Sequence, residues 1–267
     1  MQILDGRKAR EHYVTLLQKR IKELAFTPCL VIIQVGNCTD SDSFINAKKF
    51  FAKKIGVKEI HVKCDVNINQ NELLYIVEKC NDDKTAQGII IQLPLPPHLN
   101  SEIIINSIDP KKDVDGLTPN TSFIPATARG ISQLFDFYNI GLSGKKVTVI
   151  GRSKLVGTPI ANMCRSKGAI VTVCHSKTEV EDVIKNTKNA DILIVAIGKA
   201  NLIDEKYISK GQIIIDVGIT REDDRLVGDV NFEKVKDIVA MITPVPGGVG
   251  QMTVLALFEN LIDACYT

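Results

Sequence analysis

The sequence predicts an α/β protein of two domains, each built on a parallel sheet. Two observations carry this. Short β-branched apolar runs alternate with amphipathic stretches along the 267 residues, the strand–helix–strand order of parallel sheets covered on both faces. The alternation breaks once, between residues 92 and 146, in a long stretch rich in Pro, Asn, Thr and Gly that favours loops. The length itself fits one large or two ordinary domains.

Taken in order, the runs at 29–35, 59–64, 88–92, 146–150, 170–174, 191–197, 212–217 and 238–241 are expected strands, and residues 7–24, 43–54, 70–80 and 131–138 carry helical periodicity. A boundary near 117–125 divides the chain into a first domain, 1–120, and a second, 121–249. The final helix, about 250–267, is expected to pack back on the first.

Composition excludes several classes. With 33 basic and 31 acidic residues the net charge is +2, which predicts no general affinity for nucleic acid or an anionic membrane. No apolar stretch is long enough to span a bilayer, and the opening MQILDGRKAREHY has no apolar signal core. Seven cysteines, an odd number with no C-x-x-C spacing, read as reduced thiols in a cytoplasmic compartment. No His cluster exists, and the D-x-D-G run at 113–116 lacks the later Glu of a calcium loop, so no metal is expected.

In the second half, the strand 146–150 (KVTVI) runs into Gly151-Arg152-Ser153-Lys-Leu-Val-Gly157, then an apolar helix and a second strand. Strand, glycine loop, helix, strand is the first unit of a Rossmann-like dinucleotide-binding sheet, where glycine lets a pyrophosphate approach the helix N-terminus. The spacing is neither G-x-G-x-x-G nor a Walker loop, and a plain strand–helix turn is the competing reading. The end of the second strand favours the ligand: it reads Cys174-His175-Ser176-Lys177-Thr178, with no acid where a site for NAD places one. Ser176 and Arg152, helped by Lys177, suit a 2′-phosphate, so NADP is the expected cofactor. Asp216, within the 212–217 run, reads as a buried, hydrogen-bonded structural carboxylate before it reads as catalytic.

In the first half, Phe44 and Lys48 stand at i and i+4, on one helix face. A ring beside an ammonium can stack a flat heterocycle while the lysine reaches its reacting carbon. The plainer alternative is a core Phe and a Lys that snorkels to solvent. Gln92 ends an apolar strand and can hold a polar group, with Ile91 and Leu93 as its neighbours. Asp115 sits in a tight acidic turn and can accept two hydrogen bonds from a heterocycle's nitrogens. The loop Pro246-Gly247-Gly248-Val249-Gly250 can present backbone N–H groups to a ligand, or act only as a connector.

These fragments together resemble one family, the bifunctional methylenetetrahydrofolate dehydrogenase/methenyltetrahydrofolate cyclohydrolases. The motifs run in order: LDG at 4–6, GIIIQLPLP at 88–96, KDVDG at 112–116, GRSKLVGTP at 151–159, CHSKT at 174–178 and TPVPGGVG at 243–250. The resemblance implies a homodimer of two-domain subunits with the active site in the interdomain cleft, NADP as cofactor, and tetrahydrofolate derivatives of one-carbon metabolism and purine biosynthesis as substrates. It implies Lys48, Gln92 and Asp115 as catalytic residues. It implies substrate contacts from Phe44, Ile91, Leu93 and the loop Pro246 to Gly250. It implies NADP contacts from Gly151, Arg152, Ser153, Ser176 and Ile219.

Three positions depart from the family pattern. Phe44 stands where tyrosine is usual, Ala128 lies in a segment usually Cys-Thr-Pro, and Gln251 replaces a proline. Oxidising a methylene bridge loses a hydride and needs mainly positioning, whereas hydrolysis of the methenyl product needs proton transfers. The missing hydroxyl of Phe44 therefore predicts an intact dehydrogenase and a weakened hydrolase. Two other readings remain open: a different two-domain NADP dehydrogenase, and a non-catalytic folate- or nucleotide-binding regulator.

Overall fold

The structure, a computed structural model, describes residues 1–37, 39–223 and 225–266, the side chains of 39–41 excepted; Cys38 lies outside the described residues. Strand β1 (Gln2–Ile3) and helix α1 (Gly6–Lys22) open the chain. There follow β2 (Cys29–Val35), α2 (Thr39–Ile55), β3 (Lys58–Cys64), α3 (Gln70–Asp82), β4 (Gly88–Ile91) and α4 (Ser101–Asn106). Helix α5 (Ala126–Phe137) leads to β5 (Lys146–Ile150), α6 (Gly157–Ser166), β6 (Ile170–Cys174), α7 (Val180–Lys188), β7 (Ile192–Val195) and β8 (Ile213–Asp216). A hairpin, β9 (Thr220–Glu222) and β10 (Arg225–Val227), then α8 (Phe232–Val235), β11 (Met241–Ile242) and α9 (Val249–Ala264) complete it.

By contact the chain forms two compact units, 12–126 with 254–267, and 1–11 with 127–253. The division differs from one at residues 120/121 in a specific way. The first 11 residues join the second unit, because β1 pairs in parallel with β11 through Gln2↔Met241 and Ile3↔Ile242.

The unit of residues 12–126 with 254–267 holds a three-stranded sheet in the order β3-β2-β4, all parallel. Central β2 (CLVIIQV) is buried along its whole length, as a strand paired on both edges and covered on both faces must be. Edge strand β3 keeps charged residues in a half-exposed pattern. Helix α3 starts at a capping box: Asn69 accepts from the Glu72 N–H, and Glu72 accepts from the Asn69 N–H. The core gathers Val31, Ile33, Leu73, Val77, Ile89 and Ile104.

The other unit holds a six-stranded sheet, β1-β11-β8-β7-β5-β6, every pairing parallel. From β5 the chain first moves outward to β6 and then returns to β7 on the opposite side. The carboxyl ends of β5 and β7 therefore form the topological switch point where open α/β sheets bind ligands. The strand expected at 238–241 forms only at its end. Ile238 sits in the turn after α8, its N–H bonded to the Val235 carbonyl, and β11 begins where Ile213 and Gln2 offer partners.

Candidate active site

Helix α2 carries Phe44 and Lys48, both half-buried, one turn apart. Side-chain bonds fasten this helix to the sheet. Buried Gln34 on β2 donates to Asp42 Oδ1 at 2.8 Å and meets His61 Nε2 on β3 at 2.8 Å. Lys49 Nζ donates to His61 Nδ1 at 2.9 Å, which fixes the ring's hydrogen on Nε2, toward Gln34.

The residues expected to carry the chemistry come together. Lys48 Nζ donates to Gln92 Oε1 at 2.8 Å. Gln92, just beyond β4, is held by its own N–H to the Ile33 carbonyl and by its Nε2 to the Leu93 carbonyl, each 2.8 Å. Its oxygen is thereby aimed at the lysine and not free to flip. Ile91 is the buried last residue of β4, and the peptide after Leu93 is cis.

Asp115 faces Lys48 from a loop that is pinned on every side. Lys112 Nζ donates to the carbonyls of Cys80, Asn81 and Asp83 at 3.2, 2.6 and 2.7 Å. Its three hydrogens are thus spent on the carbonyl end of α3, where the helix dipole also favours a cation. Asp113, fully buried, accepts from the N–H groups of Gly116 and Thr118. Asn260 on α9 donates from Nδ2 to the Val114 and Ile124 carbonyls at 2.8 and 3.0 Å. Sequence reasoning had no signal for Asn260, 145 positions from Asp115.

Burial sets the electrostatics. It pushes the Lys48 ammonium below the usual lysine range, and Asp115 pulls the other way more weakly. It pushes the Asp115 carboxyl up, helped by the charge of Asp113 and opposed by Lys48. Both groups are shifted toward their neutral forms, so a lysine here gives up its proton more readily than a solvated one, the direction acid–base catalysis requires.

The other unit offers a different kind of site. A cavity of about 450 Å³ opens at the switch point, lined among others by Gly151, Arg152, Ser153, His175, Ser176 and Lys199. Gly151 has φ 119°, and a Cβ there would collide with the Ala196 carbonyl oxygen. A Cβ on Gly157 would likewise strike the Gly151 carbonyl. Ser153 Oγ accepts from the Val156 and Gly157 N–H groups at 3.1 and 3.3 Å, stapling the loop onto the start of α6. His175 Nδ1 accepts from the Lys177 N–H, which leaves its ring hydrogen on Nε2. No carboxylate lines the cavity among the described residues, and Arg152 and Lys199 bring positive charge. This donor set fits a phosphate-bearing dinucleotide with a further phosphate on its ribose. His175 and Lys199 are additions to the sequence-based set. Ile219 is not among the lining residues; a Cβ on Gly250 would sit 3.4 Å from its Cδ1.

The loop Pro246 to Gly250 belongs to this second unit. The Gly6 N–H donates to the Gly247 carbonyl at 2.9 Å, and a Cβ on Gly6 would collide with the Gly248 carbonyl. Pro246 follows a cis peptide.

Comparison with known proteins decides the kinship. Residues 4–115 match the model of the tetrahydrofolate dehydrogenase/cyclohydrolase catalytic domain, and residues 125–267 that of the NAD(P)-binding domain of the same family. The chain belongs to the tetrahydrofolate dehydrogenase/cyclohydrolase family. The bifunctional protein FolD of Acholeplasma laidlawii is 43% identical over 97% of this chain and 96% of its own length. That of Ligilactobacillus salivarius is 40% identical over 98% and 95%. The crystal structure of the Campylobacter jejuni family member superposes with a TM-score of 0.94 at 38% identity, covering 100% of this chain and 99% of that one. The Trypanosoma brucei member, solved with NADP and an inhibitor, gives 0.93 at 31% over 99% and 97%. A shikimate dehydrogenase reaches only 0.55 at 13% identity, a likeness of fold alone.

Proposed function

We propose that this chain oxidises 5,10-methylenetetrahydrofolate to the 5,10-methenyl cation with NADP and hydrolyses that cation to 10-formyltetrahydrofolate. The observation that carries the reading is the 2.8 Å contact between a desolvated Lys48 and a fixed Gln92 oxygen, with Asp115 facing the lysine. When bound, NADP supplies the hydride acceptor. The chain's own task in that step is to bind and orient: Arg152, Ser153 and Ser176 hold phosphate groups, and Gly151 leaves the backbone room.

Hydrolysis needs more of the side chains. Water adds to the methenyl carbon and one of its protons must leave; neutral Lys48 takes it. When the hydroxyl proton is lost and the bond from carbon to N5 breaks, N5 gains a proton, and the Lys48 ammonium returns one there. One proton is released overall. Gln92 holds the amine in place between these transfers, and Asp115 binds the heterocycle's nitrogens. Phe44, with Ile91 and Leu93, packs against the ring but has no hydroxyl to share with Lys48.

Ile219 and the loop Pro246 to Gly250 complete the ligand contacts in this reading. The chain works as a homodimer in the reducing cytoplasm, without nucleic acid or membrane. The net charge of +2 supports the absence of nucleic acid, the six unbridged cysteines among the described residues support the reducing compartment, and the homodimer rests on the family resemblance. The test is turnover: NADPH must form from methylenetetrahydrofolate and NADP. Failure with both NADP and NAD would exclude the reading.

A further inference from the structure

Two carboxylates lie buried behind the cofactor cavity, and neither lines it. Asp229 is 0% exposed. Its Oδ2 accepts from the N–H groups of Ile197 and Gly198 at 2.6 and 3.0 Å, and its Oδ1 from Lys199 at 2.7 Å. These three residues follow β7, and Ile197 and Lys199 line the cavity. Asp216, at the end of β8 and 3% exposed, accepts on Oδ1 from Gly218 and Asp229 at 3.1 and 3.0 Å. Its Oδ2 accepts from Val230 at 2.9 Å. The Asp216 N–H in turn donates to Thr243 Oγ1 at 2.8 Å.

The packing around the pair is tight at two glycines, although a cavity of about 200 Å³ borders Asp216 beside Gly228, Val230 and Thr243. A Cβ on Gly218 would strike the Asp229 carboxylate, and one on Gly228 would strike that of Asp216. Six backbone N–H groups converge on two carboxylates. Burying such charge is costly, and burial pushes the Asp216 carboxyl up to about 7 despite its three N–H donors. Each carboxylate is matched by three N–H donors, a set that one neutral side chain of the same size cannot satisfy.

We propose that Asp216 and Asp229 form a two-step brace for the cofactor-cavity wall, Asp229 holding residues 197–199 directly and Asp216 acting through Asp229. Both are positioning residues, and the inference rests on the cavity being the dinucleotide site. The brace fixes the loop during folding, so ordering it costs nothing when the ligand arrives. An amide in place of Asp229 can accept from one pair of donors but must turn its own N–H₂ toward the third.

The experiment is isothermal titration of NADP into the intact enzyme and its Asp229→Asn, Asp216→Asn and doubly substituted forms, with methenyl hydrolysis measured in parallel. Hydrolysis uses no nicotinamide and reports an intact fold. Asp229→Asn is expected to raise the Kd for NADP about tenfold, the loss of one charge-assisted hydrogen bond. Hydrolysis and kcat at saturating NADP should stay within about twofold, because the altered group touches neither reacting centre. Asp216→Asn should give a smaller rise, and the double variant a Kd no weaker than Asp229→Asn alone. If Asp229→Asn does not fold, Asp216→Asn carries the same test. An unchanged Kd in a folded variant, or parallel loss of hydrolysis and binding, would overturn the brace alone. Multiplied losses in the double variant would overturn the series arrangement. An unsubstituted enzyme that hydrolyses methenyl substrate but binds no NADP would overturn the cofactor reading and the brace with it.

Discussion

The two units solve the problem of holding a ligand in opposite ways. In the unit with Lys48, the proposed function rests on side chains, and backbone and side-chain contacts hold them in place. Gln92 is fixed by two backbone contacts, Asp115 by Lys112, Asp113 and Asn260, and burial tunes the pair's protonation. In the nucleotide unit, function sits largely in the backbone: Gly151 and Gly157 make room, and Asp216 and Asp229 hold the strand-end loops from behind. A substitution in the first unit should therefore change chemistry and spare binding. One in the second should change binding and spare chemistry.

The sharpest break is expected at Lys48. Lys48→Met should lower methenyl hydrolysis at least a hundredfold, since general acid–base groups contribute about 10²–10⁴. NADPH formation should stay within a few fold, and stopped assays of each half-reaction check both. Next comes Gly151→Ala, whose Cβ would meet the Ala196 carbonyl at a backbone φ of 119°. It should weaken NADP binding by tenfold or more while hydrolysis persists; an unaltered Kd would refute the backbone account of that site. Phe44→Tyr should raise hydrolysis by about one to two orders of magnitude, the scale of a lost orienting contact, and leave hydride transfer unchanged. Equal hydrolysis rates in both forms would remove Phe44 from the argument.

The smallest effect is on stability. Because the Asp216 carboxyl is raised to about 7 in the fold from an ordinary 3.8, the folded chain binds the extra proton and this group's contribution declines as pH rises from about 4 to 7. Unfolding temperatures at about pH 5 and pH 7.5 should fall less steeply in Asp216→Asn than in the unsubstituted chain. Parallel slopes would mean Asp216 does not titrate there.

What could be read from sequence follows the same division. Local pattern was enough for β2, β5 and β6, whose apolar runs end where the strands end; for Lys48, Gln92 and Asp115 local pattern left a plain core or surface reading open, and only the ordered motifs of the resemblance singled them out. Strand β1 was not legible: two residues with no periodicity become a strand only because β11, more than 230 positions away, pairs with them. The β9–β10 hairpin, three residues a side, was missed for the same lack of pattern. Asp216 could be suspected as a structural acid because it closes an apolar run. Asp229, in the polar stretch Gly228-Asp229-Val230-Asn231, looks like any loop acid until the fold brings Ile197–Lys199 to it. His175 and Lys199 enter the cavity wall for a like reason, since strand-end geometry and not spacing places them.

The most direct test of separable sites is one assay: methylenetetrahydrofolate and NADP with the unsubstituted enzyme and with Lys48→Met, following NADPH and the methenyl chromophore together. The account predicts that Lys48→Met forms NADPH at nearly the unsubstituted rate while methenyl product accumulates one for one with it, and that the unsubstituted enzyme accumulates less. If Lys48→Met cleared methenyl product as fast as the unsubstituted enzyme, the hydrolytic role of Lys48 would be contradicted.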